Sequence, residues 1–210
     1  MTVSHTARTA LLGTAAVCLA AAGGMFLQYA QRSPADFYPP AEDICVVTPS
    51  RTSSAHAWDS ASGLGKYDAR PIPTDARCPV CGMYPARYPT WAAQLIFKDG
   101  TAHFFDSAVD LFMFLDEPAR FDQAHTADDV EALYVADHLR ASWLAARTAF
   151  FVIGAKVYGP MRGPDIPAFA SIDEATAFVS EHGGRVLRFD AIDSSTVATL
   201  RDANHATHTH

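Results

Sequence analysis

A phenylalanine, a serine two places on and a second phenylalanine seven places after that occur twice in this chain. They stand at Phe105, Ser107 and Phe114, and again, at one constant offset, at Phe169, Ser171 and Phe178. Each trio has the same surroundings: strand-like residues, a serine suited to capping, then a helical run. In the first, "WAAQLIFK" (91–98) and "TAHFF" (101–105) are strand-like around Asp99-Gly100, a dipeptide that favours a type I′ hairpin turn. "SAVDLFMFLDEP" reads as a helix apolar nearly all round, with Ser107 as N-cap, Asp110 as a capping acid and Pro118 as its stop. "EALYVAD" (131–137) returns as a strand. In the second, "TAFFVIG" and "AKVYG" (148–159) read as a strand pair. "SIDEATAFVSEHGG" reads as an amphipathic helix with Ser171 and Glu174 as capping box and Ile172, Ala175, Phe178 and Val179 as apolar stripe. "RVLRFDAI" closes it as a strand. This order predicts an α+β fold of two related ββαβ units, over residues 76–140 and 141–193.

The flanking segments have other characters. Residues 10–30 carry no charge and are long enough to cross a bilayer, with Arg8 before and Arg32 after. Residues 1–32 are therefore expected to be a signal anchor, or a signal peptide cut after Ala20-Ala21-Ala22. A lipoprotein signal ending at Cys18 fits poorly, because Val17 is bulky where a small residue belongs. Either way the body lies outside the cytoplasm, anchored in the inner membrane and facing the periplasm, or free in the periplasm. Residues 33–75 read as a Pro/Ser/Ala-rich linker. Residues 194–210 read as a tail with His205, His208 and His210, able to hold Cu(II), Ni(II) or Zn(II) weakly. The net charge of −7 and the absence of any Lys/Arg run exclude nucleic acid as a partner.

The chemistry concentrates in "RCPVCGMYPARYPTW" (77–91). A thioredoxin-like dithiol needs its first cysteine at a helix N-terminus, and Gly82, Pro85 and Pro89 deny a helix here. A thiol-disulfide oxidoreductase acting through Cys78 and Cys81 is the enzymatic alternative. An inert disulfide between the two is the structural one. A closed zinc site needs a second pair of ligands, and only Cys45 is at hand. A soft-metal site explains more residues: Cys81 and Met83 place a thiolate and a thioether two positions apart across a flexible glycine, a pairing that favours Cu(I). Met161, in the Gly/Pro-rich stretch "YGPMRGPDIPAF", completes such a site if the two units face each other. His103, beside Phe104 and Phe105, reads as a satisfied, half-buried histidine.

"CPVCGMYPARYPTWAAQLIFKDGTAHFFDSAVDLFMFL", "YVAD" (134–137), "WLAARTAFFVIG" (143–154), "GPM" (159–161), "PAFAS" and "GGRVLRFDAI" resemble, in that order, the NosL family of copper accessory proteins for nitrous-oxide reductase. The resemblance covers about residues 75–192. It implies a pair of ββαβ units related to the organomercurial lyase fold. It also implies a non-enzymatic Cu(I) metallochaperone, tethered to the membrane, that delivers copper to an acceptor such as apo nitrous-oxide reductase. The family's Cys-x-Met element falls on Cys81 and Met83, and its loop methionine on Met161. Family members usually carry a lipoprotein signal, from which Val17-Cys18 departs. Many lack the first cysteine, so Cys78 is expected as an auxiliary ligand or redox partner.

Overall fold

The computed structural model describes residues 55–207. The segment at 10–30, Cys18, Cys45, His208 and His210 lie outside the described residues. Among those described, no helix is long and apolar enough to cross a membrane.

Two antiparallel sheets carry the fold. The first runs in the order β2-β1-β3-β4, from β1 (Ala93–Phe97), β2 (Ala102–Phe105), β3 (Val130–Ala136) and β4 (Trp143–Ala145). The second runs β6-β5-β7, from β5 (Phe150–Ile153), β6 (Ala168–Phe169) and β7 (Arg185–Arg188). In both, the first strand of a hairpin is central and a helix links the second strand to the third: α1 (Ala108–Asp116) and α3 (Ile172–His182). Phe105 and Phe169 each end the second strand. Ser107 and Ser171 each cap the following helix, accepting from the backbone N–H of Asp110 and Glu174 at 3.2 Å. The short α2 (Pro118–Phe121) follows α1, and α4 (Ser194–Thr207) comes last.

Several expectations are corrected. The β1–β2 turn is not type I′, because of Asp99 and Gly100 only Gly100 has positive φ (+93°). Gly100 N–H donates to Phe97 O at 2.8 Å and Phe97 N–H to Thr101 O at 2.9 Å, the pattern of a three-residue loop with a glycine bulge. "AKVYG" is not the partner of β5. Gly154 (φ +75°) turns the chain away, and Lys156 N–H donates to His182 O at the end of α3. The partner is β6, after a loop that carries Met161. Residues 143–145 pair with β3 and so extend the first sheet. Ile172 is 47% exposed and lies off the buried stripe. The stretch read as a tail forms α4, whose Val197 and Leu200 are buried in the main core.

Every residue of β1 is buried, which explains its lack of polar alternation. Ala93, Leu95 and Phe97 face α1 and the main core. Ile96, with Ala102 and Phe104, faces a second cluster built on Ala76 and Ile72. The later part of the linker therefore packs on the body and covers a sheet face. The buried Gln94 side chain fits that cover: its amide accepts from Arg70 N–H and donates to Arg70 O, both at 3.1 Å. His103 is fully buried rather than half-buried, and it is satisfied, with Nε2 2.8 Å from Asp122 Oδ2. The same oxygen meets His125 Nδ1 at 2.8 Å, and His125 stacks on Phe97.

Candidate metal centre

The cysteine stretch forms a closed loop. Cys78 N–H donates to Met83 O and Gly82 N–H to Cys78 O, both at 2.9 Å. Gly82 has φ +78°, a conformation any other side chain would strain. Arg77 donates to Gly82 O at 3.0 Å and lies over the Tyr84 ring. A single 3₁₀ turn, Pro85–Arg87, follows. Cys78 is thus driven inward, 2% exposed, while Cys81 stays partly open. Both are free thiols.

Helix α1 and the residue just ahead of its cap supply what they meet. Ser107 caps the helix, but the Asp110 side chain does not return the reciprocal bond expected from sequence and turns inward to the thiols. The Cys78 thiol donates to Asp110 Oδ2 at 3.1 Å. The Cys81 thiol donates to Asp106 Oδ1 at 3.0 Å. One ligand atom from each of these four residues falls within 4.8 Å of the others. Among described residues they form the one such His/Cys/Asp/Glu cluster.

Burial sets the protonation of this cluster. It pushes the Cys78 thiol well up, aided by the bond to Cys81 and the charges of Asp110 and Asp106. At Cys81 the bond from Cys78 favours the thiolate, but burial and the two aspartates prevail and raise the thiol to about 11. Burial and the Asp106 charge also raise Asp110, against the thiols' hydrogen bonds. No donor reaches the buried Asp106 Oδ2. A buried carboxylate oxygen without a fixed donor, beside two thiols and a second acid, suits a cation. The donor set fits a soft or borderline metal through sulfur, with carboxylates in support.

A third acid holds the opposite wall. Asp165 is buried, accepts from Ile166 N–H at 2.7 Å and from the Val109 backbone, and is raised to about 8 by burial despite those bonds. Its carboxylate packs against Gly159, where a turn begins: Arg162 N–H donates to Gly159 O, and Gly159 N–H to Gly163 O, both at 2.9 Å. Asp165 thereby ties the Met161 turn to the start of α1. Met161 and Cys81 line one cleft of about 340 Å³, with Val80, Asp110, Met113 and Phe121.

Of the residues expected from sequence, Cys78 and Cys81 come together, and Cys81 shares its cleft with Met161. Met83 is half-buried in the same loop, and its carbonyl closes that loop, but it is not among the residues lining the cleft. Asp106, Asp110, Asp165 and Met113 were missed. The signal for Asp110 was an acid one turn into a helix apolar nearly all round, which capping explained too readily.

With this geometry in place, the likenesses to known proteins have a site to bear on. The NosL family model matches residues 69–197. The chain is 32% identical over 136 residues to the copper-binding lipoprotein NosL of Stutzerimonas stutzeri, across 61% of this chain and 67% of that protein. It is 43% identical over 58 residues to the protein of the same name from Achromobacter cycloclastes, across 28% of this chain and 30% of that one. Its fold is similar to the crystal structure of the copper chaperone NosL from Shewanella denitrificans, with a TM-score of 0.54 and 30% identity. That match covers 61% of this chain and 98% of the other.

Proposed function

Because the chain belongs to the NosL family, we propose that it is a Cu(I) metallochaperone rather than an enzyme. On this reading it faces the periplasm from a membrane tether and hands copper to an acceptor such as apo nitrous-oxide reductase. The observation that carries the proposal is the enclosed Cys78, Cys81, Asp106 and Asp110 cluster opening onto a cleft with Met161. Cys81 is the primary ligand, because it alone of the two thiols reaches the cleft. Cys78 and the thioethers of Met83 and Met161 supply further sulfur. The shared strand order of the two sheets supports reading them as two related ββαβ units.

Each thiol already donates to a carboxylate, so each has a proton acceptor beside it when metal displaces the proton. Release is ligand exchange: an acceptor's sulfur or imidazole enters by the cleft and takes over the ion. Disulfide exchange fits the site less well. It needs an accessible thiolate of depressed pKa, whereas both thiols here are raised and Cys78 is buried.

The test is an anaerobic Cu(I) titration of the reduced full-length chain against a chromophoric chelator. Wild type, Cys81→Ala and Met83→Leu are compared. Tight one-to-one binding, lost in Cys81→Ala and weakened in Met83→Leu, is expected. Unchanged affinity in Cys81→Ala overturns the reading.

A further inference from the structure

Helix α1 presents two residues one turn apart on the side that meets the cysteine loop: Asp110 and Met113. Asp110 meets Cys78. Met113 lines the cleft beside Cys81 and Met161. It also borders a smaller hollow that runs past Asp116 and Glu117 toward α4. Arg120 and Arg201 line both spaces, so Met113 stands between the thiol end of the cleft and a neighbouring hollow of mixed charge. It is half-buried, whereas Leu111, Phe112 and Phe114 around it are closed off. Packing alone at this edge would be served by leucine. A flexible, polarisable thioether at a cleft that already holds a thiol and a second thioether suits a soft monovalent ion.

We infer that Met113 is a sulfur donor for Cu(I) on its way in or out, taking the ion between Cys81 and the hollow that adjoins the cleft. This rests on the copper reading above. No bond to carbon changes and no electron moves: one Cu–S contact forms as another breaks, and copper stays Cu(I). The cleft then offers Cys81, Met161 and Met113 in turn, each exchange needing only one new ligand.

The test labels every methionine ε-methyl of the full-length chain with ¹³C. The reduced protein is titrated with Ag(I), a redox-stable stand-in for Cu(I), and then with Cu(I) under anaerobic conditions. The Met113 resonance, identified by its loss in Met113→Leu, is expected to move with added metal. In Met113→Leu, transfer of Cu(I) to a competing chelator is expected to slow by about tenfold, while Cys81-dependent binding at equilibrium persists. A Met113 methyl that stays fixed while Cys81 still binds metal overturns this inference and leaves the chaperone reading standing. An unchanged transfer rate in Met113→Leu overturns it equally. Absence of any metal binding by wild type overturns both.

Discussion

Gly159 lies against the buried carboxylate of Asp165: a Cβ at position 159 would fall 2.6 Å from Asp165 Cβ, and closer still to Oδ2. Both residues belong to the loop that carries Met161, and the second is held by the start of α1. Gly159→Ala must therefore move either the Met161 turn or the acid. It is expected to cost about 1–3 kcal/mol, read by urea unfolding, and to weaken Cu(I) binding in the same titration. A variant as stable and as tight as wild type would mean that the loop adjusts freely.

Asp165 also makes a prediction about pH. Its carboxyl is raised from 3.8 to about 8, so the folded state holds a proton that the unfolded chain releases. Stability from this group is fully present below pH 3.8 and is lost as pH rises toward 8. The metal-free, reduced protein is expected to be more stable at pH 5.5 than at pH 8, by on the order of a few kcal/mol. Asp165→Asn should reduce the difference, leaving the part contributed by Asp110, which burial also raises. Urea melts at the two pH values decide it, and an equal slope in the variant refutes the assignment.

The thiols predict slow alkylation. With Cys81 raised from 9.0 to about 11, the folded protein holds roughly a hundredfold less Cys81 thiolate at pH 8 than an ordinary thiol would. Iodoacetamide should label Cys81 slowly at pH 8 and faster as pH rises toward 10, and Cys78 more slowly than Cys81. Mass spectrometry of the peptide spanning 77–87 separates these sites from Cys18 and Cys45. Rapid labelling at pH 6 would instead favour the oxidoreductase.

The packed linker predicts that the body cannot be trimmed at Asp75. Removing residues 55–75 takes Ile72 from Ile96 and Phe104, and Arg70 from the Gln94 amide. A chain starting at residue 76 is expected to be less stable than one starting at residue 51 by on the order of 3 kcal/mol or more. Equal urea midpoints would show the cover to be superficial.

Much of the fold was legible because its signals are local. Ser107 and Ser171 announce their helices through capping, and the repeated Phe–Ser pair falls each time at a strand end and the helix cap that follows. The failures came where distant contacts decide. "AKVYG" has strand composition, but Gly154 turns it toward α3. Residues 55–75 lack periodicity because they are ordered by contacts with β1 and β2, through Ile72, Arg70 and the His56–Ala102 bridge, and not by a helix or strand ladder of their own. The candidate site was half legible. Cys-x-x-Cys-Gly-Met names a sulfur chemistry on its face. Asp110 sits in a run explained by helix formation alone and Asp106 just ahead of its cap, and only tertiary structure aims them at the thiols. Met113 has the same disguise, since methionine in an apolar helix is ordinary core material.

Cys81 comes from the first half of the described chain, Met161 from the second, and Arg201 of α4 borders the same cleft. Helix α4 is the last described element to leave the ribosome and the last to cross any membrane. Until it is in place, Cys78 and Cys81 exist without the Arg201 border of that cleft. On the copper reading proposed above, the cleft that would hold the ion is complete only in a chain whose α4 has packed.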